Sequence, residues 1–116
     1  MSKIYFTLTG TKHYFGKEFL KKGTKIRLEK EPDNEHDKEA IKVIYEGLGK
    51  IGYVANSSYT VLGDSMSAGR IYDKIGKKAK AKVVLVTDYG TICSISKKSL
   101  LDNQKKVKKA ETEVEE

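Results

Sequence analysis

The stretch Glu31-Pro32-Asp33-Asn34-Glu35-His36-Asp37-Lys38-Glu39-Ala40-Ile41-Lys42-Val43, with Lys50-Ile51-Gly52-Tyr53-Val54 after it, decides the fold. Its first half is polar and turn-forming. From Ala40 apolar and polar residues alternate as in a half-buried strand, so Asp37 falls at the mouth of a β-element. Glu46-Gly47-Leu48-Gly49 reads as the hairpin connection to the next strand. A loop side chain held on a rigid strand end is well placed to bind a ligand.

Outward from this hairpin, the alternation continues. Residues 4–8 (Ile-Tyr-Phe-Thr-Leu) and 24–28 (Thr-Lys-Ile-Arg-Leu) each read as half-buried strands, with Gly10 and Gly16 bracketing the loop between them. Residues 80–86 and 91–95 return to the strand pattern, and Asp88-Tyr89-Gly90 is the turn. After Val54, the caps Asn56, Ser57 and Ser58 with Tyr59, Val61, Leu62 and Met66 predict a short helix. A second is predicted over 68–75, ending at Gly76. Five or six short strands with a helical insert make a mainly β chain with short helices, a small barrel. Past residue 97, Ser99 is expected to cap a short helix carrying Leu100, Leu101 and Val107. Its lysines precede its glutamates, against the helix dipole, so the tail is expected to fray and to be disordered from about Lys108. The reading is thus a barrel domain over 1–97 and a charged tail over 98–116.

With 116 residues, 38% of them hydrophobic and 34% charged, the chain can bury one modest core. No apolar run approaches the roughly 20 residues of a membrane helix. The alternating N-terminus is unlike a signal peptide, so a cytoplasmic location and no membrane partner are expected. Cys93 is the only cysteine, which leaves no internal disulfide or thiolate zinc site and suggests a buried structural thiol. The formal net charge is +7. Residues 102–116 carry four lysines against five acids, a net of −1, so residues 1–101 carry +8. That basicity favours a polyanionic partner, although a purely solvated surface has the same composition.

Two motif matches fail on physical grounds. Gly47-Leu48-Gly49-Lys50-Ile51-Gly52 satisfies G-x-G-x-x-G, but a pyrophosphate site needs a helix N-terminus after the glycines, and here a strand follows. The alternating acids Asp33, Glu35, Asp37 and Glu39 suggest a calcium loop, yet Lys38 and Ile44 stand where an EF-hand needs glycine and a bidentate glutamate. A looser metal site from His13, His36 and Asp37 is the remaining route to nuclease chemistry; surface residues are the commoner reading of such a set. No cofactor, catalytic residue or metal site is assigned.

Single-stranded nucleic acid is bound by cations for phosphates and flat side chains for bases. Lys12, Lys38, Lys42 and Arg70 supply the first, and His13, Tyr14, Phe15, His36 and Tyr53 the second; Tyr14 and Phe15 are also expected to pack into the core.

The Asp37 loop and its strand, together with Gly10-Thr11-Lys12-His13-Tyr14-Phe15-Gly16 and Ala68-Gly69-Arg70-Ile71-Tyr72, resemble the HIRAN domain over about residues 8–95. The resemblance implies a small OB-related barrel, here read as a stand-alone module, that captures the 3′-hydroxyl end of single-stranded DNA. It implies that Asp37 accepts a hydrogen bond from the terminal hydroxyl, which an ionised carboxylate can do while repelling a terminal phosphate. Lys12 then matches a basic position of the first loop, His13 and Tyr14 its aromatic pair, and His36 the aromatic before the aspartate. Tyr53 falls where relatives often carry histidine or another polar ring. The site expected from residues and resemblance together is Lys12, His13, Tyr14, His36, Asp37, Lys38, Tyr53 and Arg70. Relatives with end capture tend to have tyrosine where His13 and His36 stand, so stacking is expected to be weaker and more dependent on pH.

Two other function classes remain open: an adaptor that recruits a separately encoded helicase or nuclease, and a metal-dependent nuclease. Stacking and phosphate contacts also serve RNA as well as DNA.

Overall fold

The computed structural model describes residues 3–101. Six strands, β1 (Tyr5–Thr9), β2 (Lys25–Lys30), β3 (Ile41–Tyr45), β4 (Gly49–Val54), β5 (Lys78–Thr87) and β6 (Gly90–Ile95), close into a barrel. They follow the order β1-β4-β3-β2-β5-β6, and every pair is antiparallel. Closure leaves no unpaired sheet edge. One short helix, α1 (Ala68–Tyr72), is inserted between β4 and β5, giving the OB-like barrel that the sequence pattern leads one to expect.

Inward-facing residues fill the barrel: Phe6 and Leu8 from β1, Leu28 from β2, Ile41 and Val43 from β3, Ile51 from β4, Val83 from β5 and Cys93 from β6 are all buried. Each large aliphatic or aromatic side chain contributes about 1.5–3 kcal/mol by leaving water. Ile71 of α1 and Ile75 beyond it join the same core. The α1 end is tied down by Lys30, whose Nζ donates to the Ile75 carbonyl at 2.8 Å and lies 4.4 Å from the Tyr72 ring centroid. Burial pushes the Cys93 thiol up to about 12, as befits a structural cysteine.

The first expected helix is absent. Residues 57–66 instead form successive turns laid against β1. Thr7 is fully buried, and its Oγ1 accepts from Leu62 N at 3.0 Å and pairs with Ser65 Oγ at 2.7 Å. Met66 N donates to the Tyr5 carbonyl at 2.7 Å. Tyr59, read as part of a helix face, is exposed, and Leu62 N and Met66 N, which a helix would bond internally, go to β1 instead. The second expected helix forms over a shorter range, capped by Ser67, whose Oγ accepts from Arg70 N.

Ser99 does not act as the expected helix cap. Its Oγ accepts from Lys80 N at 2.9 Å, and Leu100 is extended, buried and bridged to Ile75. The rest of the expected tail helix, with Val107, and the disorder expected from Lys108 lie outside the described residues.

Candidate nucleic-acid interface

The loop joining β2 to β3 is closed at its base by Glu31 N donating to the Ala40 carbonyl at 2.8 Å. At its tip, Asn34 Oδ1 accepts from both His36 N (2.9 Å) and Asp37 N (3.0 Å), an Asx-type turn that fixes the backbone on either side of Asp37. The Asp37 carboxylate is held at two points: Oδ1 accepts from Glu39 N at 2.9 Å and Oδ2 from Asn56 Nδ2 at 2.8 Å. A carboxylate has about four acceptor positions, so capacity remains for an incoming donor. Asp37 is half-buried, while His36 and Lys38 on either side are exposed.

A bulge in β4 builds the second part of the site. Lys42 pairs with Tyr53, Val43 with Gly52 and Ile44 with Lys50, so β4 spends one extra residue, Ile51, against β3. In a regular strand, side chains three apart point to opposite faces. The bulge instead turns Lys50 and Tyr53 to the same outer face. Lys50 Nζ donates to Tyr53 Oη at 2.9 Å, and Tyr53 Oη donates to Glu31 Oε1 at 2.6 Å. Asn34 Nδ2 donates to the same Glu31 oxygen at 2.7 Å.

These contacts form one chain. The Tyr14 ring lies 6.5 Å from the Tyr53 ring, with Lys50 Nζ 5.5 Å and 4.9 Å from the two centroids. Tyr53 holds Glu31, Glu31 holds Asn34, and Asn34 holds the backbone of Asp37. Asp37 holds Asn56, whose Oδ1 accepts from Gly69 N of α1 at 2.8 Å. Arg70 follows directly, exposed, beside a shallow polar depression lined by Asn56, Ser57, Asp64, Ser65 and Ser67.

Charge is fixed along the chain. Burial would push the Glu31 carboxyl up, but hydrogen bonds from Tyr53 and Asn34 and the nearby Lys50 charge outweigh it and hold it below 4.5. The bond to Tyr53, with the Glu31 charge, keeps Lys50 protonated well above the usual lysine range despite partial burial. Burial and donation to Glu31 both raise the Tyr53 phenol. Because Glu31 titrates below its unfolded value, its stabilising effect is complete above about pH 4.5 and is lost as pH falls through its lowered folded value. Replacing Tyr53 with phenylalanine is expected to cost about 1 kcal/mol. It should also shrink this acid-dependent loss, measured as thermal midpoint against pH; an unchanged pH profile would mean that the chain is not coupled.

Of the expected site residues, Tyr14, Tyr53 and Asp37 thus lie on this one chain, and Arg70 adjoins its α1 end. Tyr14 and Tyr53 meet through Lys50, and Asp37 and the α1 end that carries Arg70 meet through Asn56. Lys12 and His13, on a single 3-10 turn over Thr11–His13, and His36 and Lys38 make no side-chain hydrogen bond or ion pair among the described residues. Lys42 is a cross-strand neighbour of Tyr53 but is paired with Glu29 at 3.9 Å. Tyr14 and Phe15 are not core residues as expected: they are 39% and 53% exposed. Gly10 and Gly16, both at positive φ, tighten the loop until Gly16 N bonds the Thr11 carbonyl, which turns both rings outward. Glu31, Asn34 and Lys50 are not legible as site residues in the sequence, and Asn56, expected as a helix cap, instead bridges Asp37 to α1, because these roles depend on partners up to 22 positions away and on the bulge.

Among the described residues, no group of three or more His, Cys, Asp or Glu is arranged to hold a metal ion. The sequence description of the HIRAN domain matches residues 1–75, well over half of the chain. The chain belongs to the HIRAN domain family. This HIRAN domain is similar in structure to the crystal structure of the HIRAN domain of human HLTF, with a TM-score of 0.56 over 93% of this chain and 88% of that one. The two are 16% identical, so the likeness is one of fold. Comparison with curated proteins gave no match.

Proposed function

We propose that this HIRAN domain holds the 3′-hydroxyl end of a single DNA strand, with Asp37 accepting a hydrogen bond from the terminal hydroxyl. Family membership supports the general part: HIRAN domains are non-catalytic DNA-binding modules. The observation that carries the finer part is the Asp37 carboxylate, fixed by Glu39 N and Asn56 and retaining acceptor capacity beside exposed His36 and Lys38. A pre-positioned acceptor loses little freedom on binding. Exposed Tyr14 and Phe15 are platforms for bases, each worth on the order of 1–3 kcal/mol, and Lys12, Lys38 and Arg70 meet phosphates.

Fluorescence anisotropy with a short strand ending in a 3′-hydroxyl, against the same strand ending in a 3′-phosphate, tests this. Preference for the hydroxyl is expected, with a log–log salt slope of about −0.7 per neutralised phosphate. Equal binding of both ends would leave a general basic binder, and a slope near zero would remove the electrostatic contribution.

A further inference from the structure

The outer face of β2 and β5 carries like charges directly opposite one another. Lys25 faces Lys82, and Arg27 faces Lys80. Such pairs weaken a sheet. Arg27 is relieved by Glu29 at 3.0 Å, but Lys25, Lys80 and Lys82 have no acidic partner among the described residues. The four line a groove of about 570 Å³, which Lys3 and Lys97 also border and to which Glu46 contributes the one acid among the described residues. The face therefore carries a standing electrostatic cost that an anionic ligand would remove.

We infer that this face is a second nucleic-acid surface, which grips the phosphate backbone of a duplex. Its lysines stand along the strand at every second residue, roughly 7 Å apart. Parallel rows of point charges suit a repeating polyanion, whereas one small anion would need donors that converge. The groove lining contains no aromatic side chain, so the face lacks the stacking platforms used on unpaired bases. In the six-strand circle, β5 is three strands from β4 in either direction. Lys80 and Lys82 of β5 are thus across the barrel from Lys50 and Tyr53, while the opposite rim of the groove reaches Ile44, the cross-strand partner of Lys50. The β5 half of the face, with Lys80 and Lys82, lies outside residues 1–75, the part matched to the family.

The test is the double substitution Lys80→Gln/Lys82→Gln. Both side chains are exposed, and neutralising them relieves repulsion, so the barrel should fold at least as well as the parent. Two probes separate the surfaces: a blunt duplex with both 3′ ends phosphorylated, and a short single strand ending in a 3′-hydroxyl. On the duplex, the salt slope should become shallower by about 1.8, so that the affinity lost between about 50 and 200 mM salt shrinks by roughly tenfold. The short strand should bind as before. An unchanged duplex slope would overturn the inference, as would equal loss on both probes. Preferential binding of an oligoglutamate peptide over the duplex would assign the face to an acidic protein segment instead, and would overturn it too. Failure of end preference in the parent protein leaves this outcome readable, because the duplex probe has no free 3′-hydroxyl.

Discussion

An Asp37→Ala protein is expected to bind hydroxyl-ended and phosphate-ended strands alike. A hydrogen bond to a charged acceptor is worth about 1.5–3 kcal/mol, which corresponds to a loss of roughly ten- to a hundredfold on the hydroxyl end. The phosphate end should gain, since the repelling carboxylate is gone. The ratio of the two affinities is the quantity to read. Alanine also leaves Glu39 N and Asn56 Nδ2 without their acceptor, so both absolute affinities will carry some loss from a looser loop. An Asp37→Asn protein separates charge from shape: it can still accept from a hydroxyl and should tolerate a phosphate. Were Asp37→Ala to weaken both ends by the same factor, Asp37 would be a loop-forming residue and no more.

Gly52→Ala is expected to lower the thermal midpoint by on the order of 10 °C. A Cβ at this position would lie 2.6 Å from the Thr9 carbonyl oxygen and 2.8 Å from Leu8 Cδ1. The leucine can rotate, but the carbonyl belongs to β1 where it pairs with β4 through only Leu8–Val54 and Thr9–Tyr53. Overpacking typically costs about 1–3 kcal/mol, and each kcal/mol moves the midpoint of a domain this size by roughly 4–8 °C. Gly52→Val should cost more. Gly76→Ala is the control, because its Cβ would meet nothing within 4 Å. A midpoint for Gly52→Ala equal to that of the control would show that β1 and β4 separate without penalty.

How far the sequence reveals this molecule depends on the range of the contacts. All six strands follow from local signals, alternation for the first three and turn residues with apolar, β-like runs for the rest, and the Asp37 loop follows from turn chemistry within a few residues. The 57–66 segment misleads because Val61, Leu62 and Met66 at helical spacing equally suit turns pressed on β1; the decisive partner, Thr7, is 55 positions from Leu62. Tyr14 and Phe15 mislead because an aromatic pair is a core signal until the glycines on either side turn the loop outward. Lys50 and Tyr53 cannot be placed on one face without knowing that Ile51 is bulged.

The chain of contacts from Tyr14 to Gly69 joins the loop before β2, the loop between β2 and β3, strand β4, the segment after it and α1. No single hairpin contains it: Glu31 and Asn34 precede β3, Lys50 and Tyr53 stand on β4, and Tyr14 and Gly69 lie outside both. The site is therefore assembled by tertiary docking of segments far apart in the chain, and any ligand held by it would stabilise the packing of those segments together rather than one loop. A partly folded copy, with α1 or the loop before β2 undocked, would lack an end of the chain of contacts and so could not present the site whole.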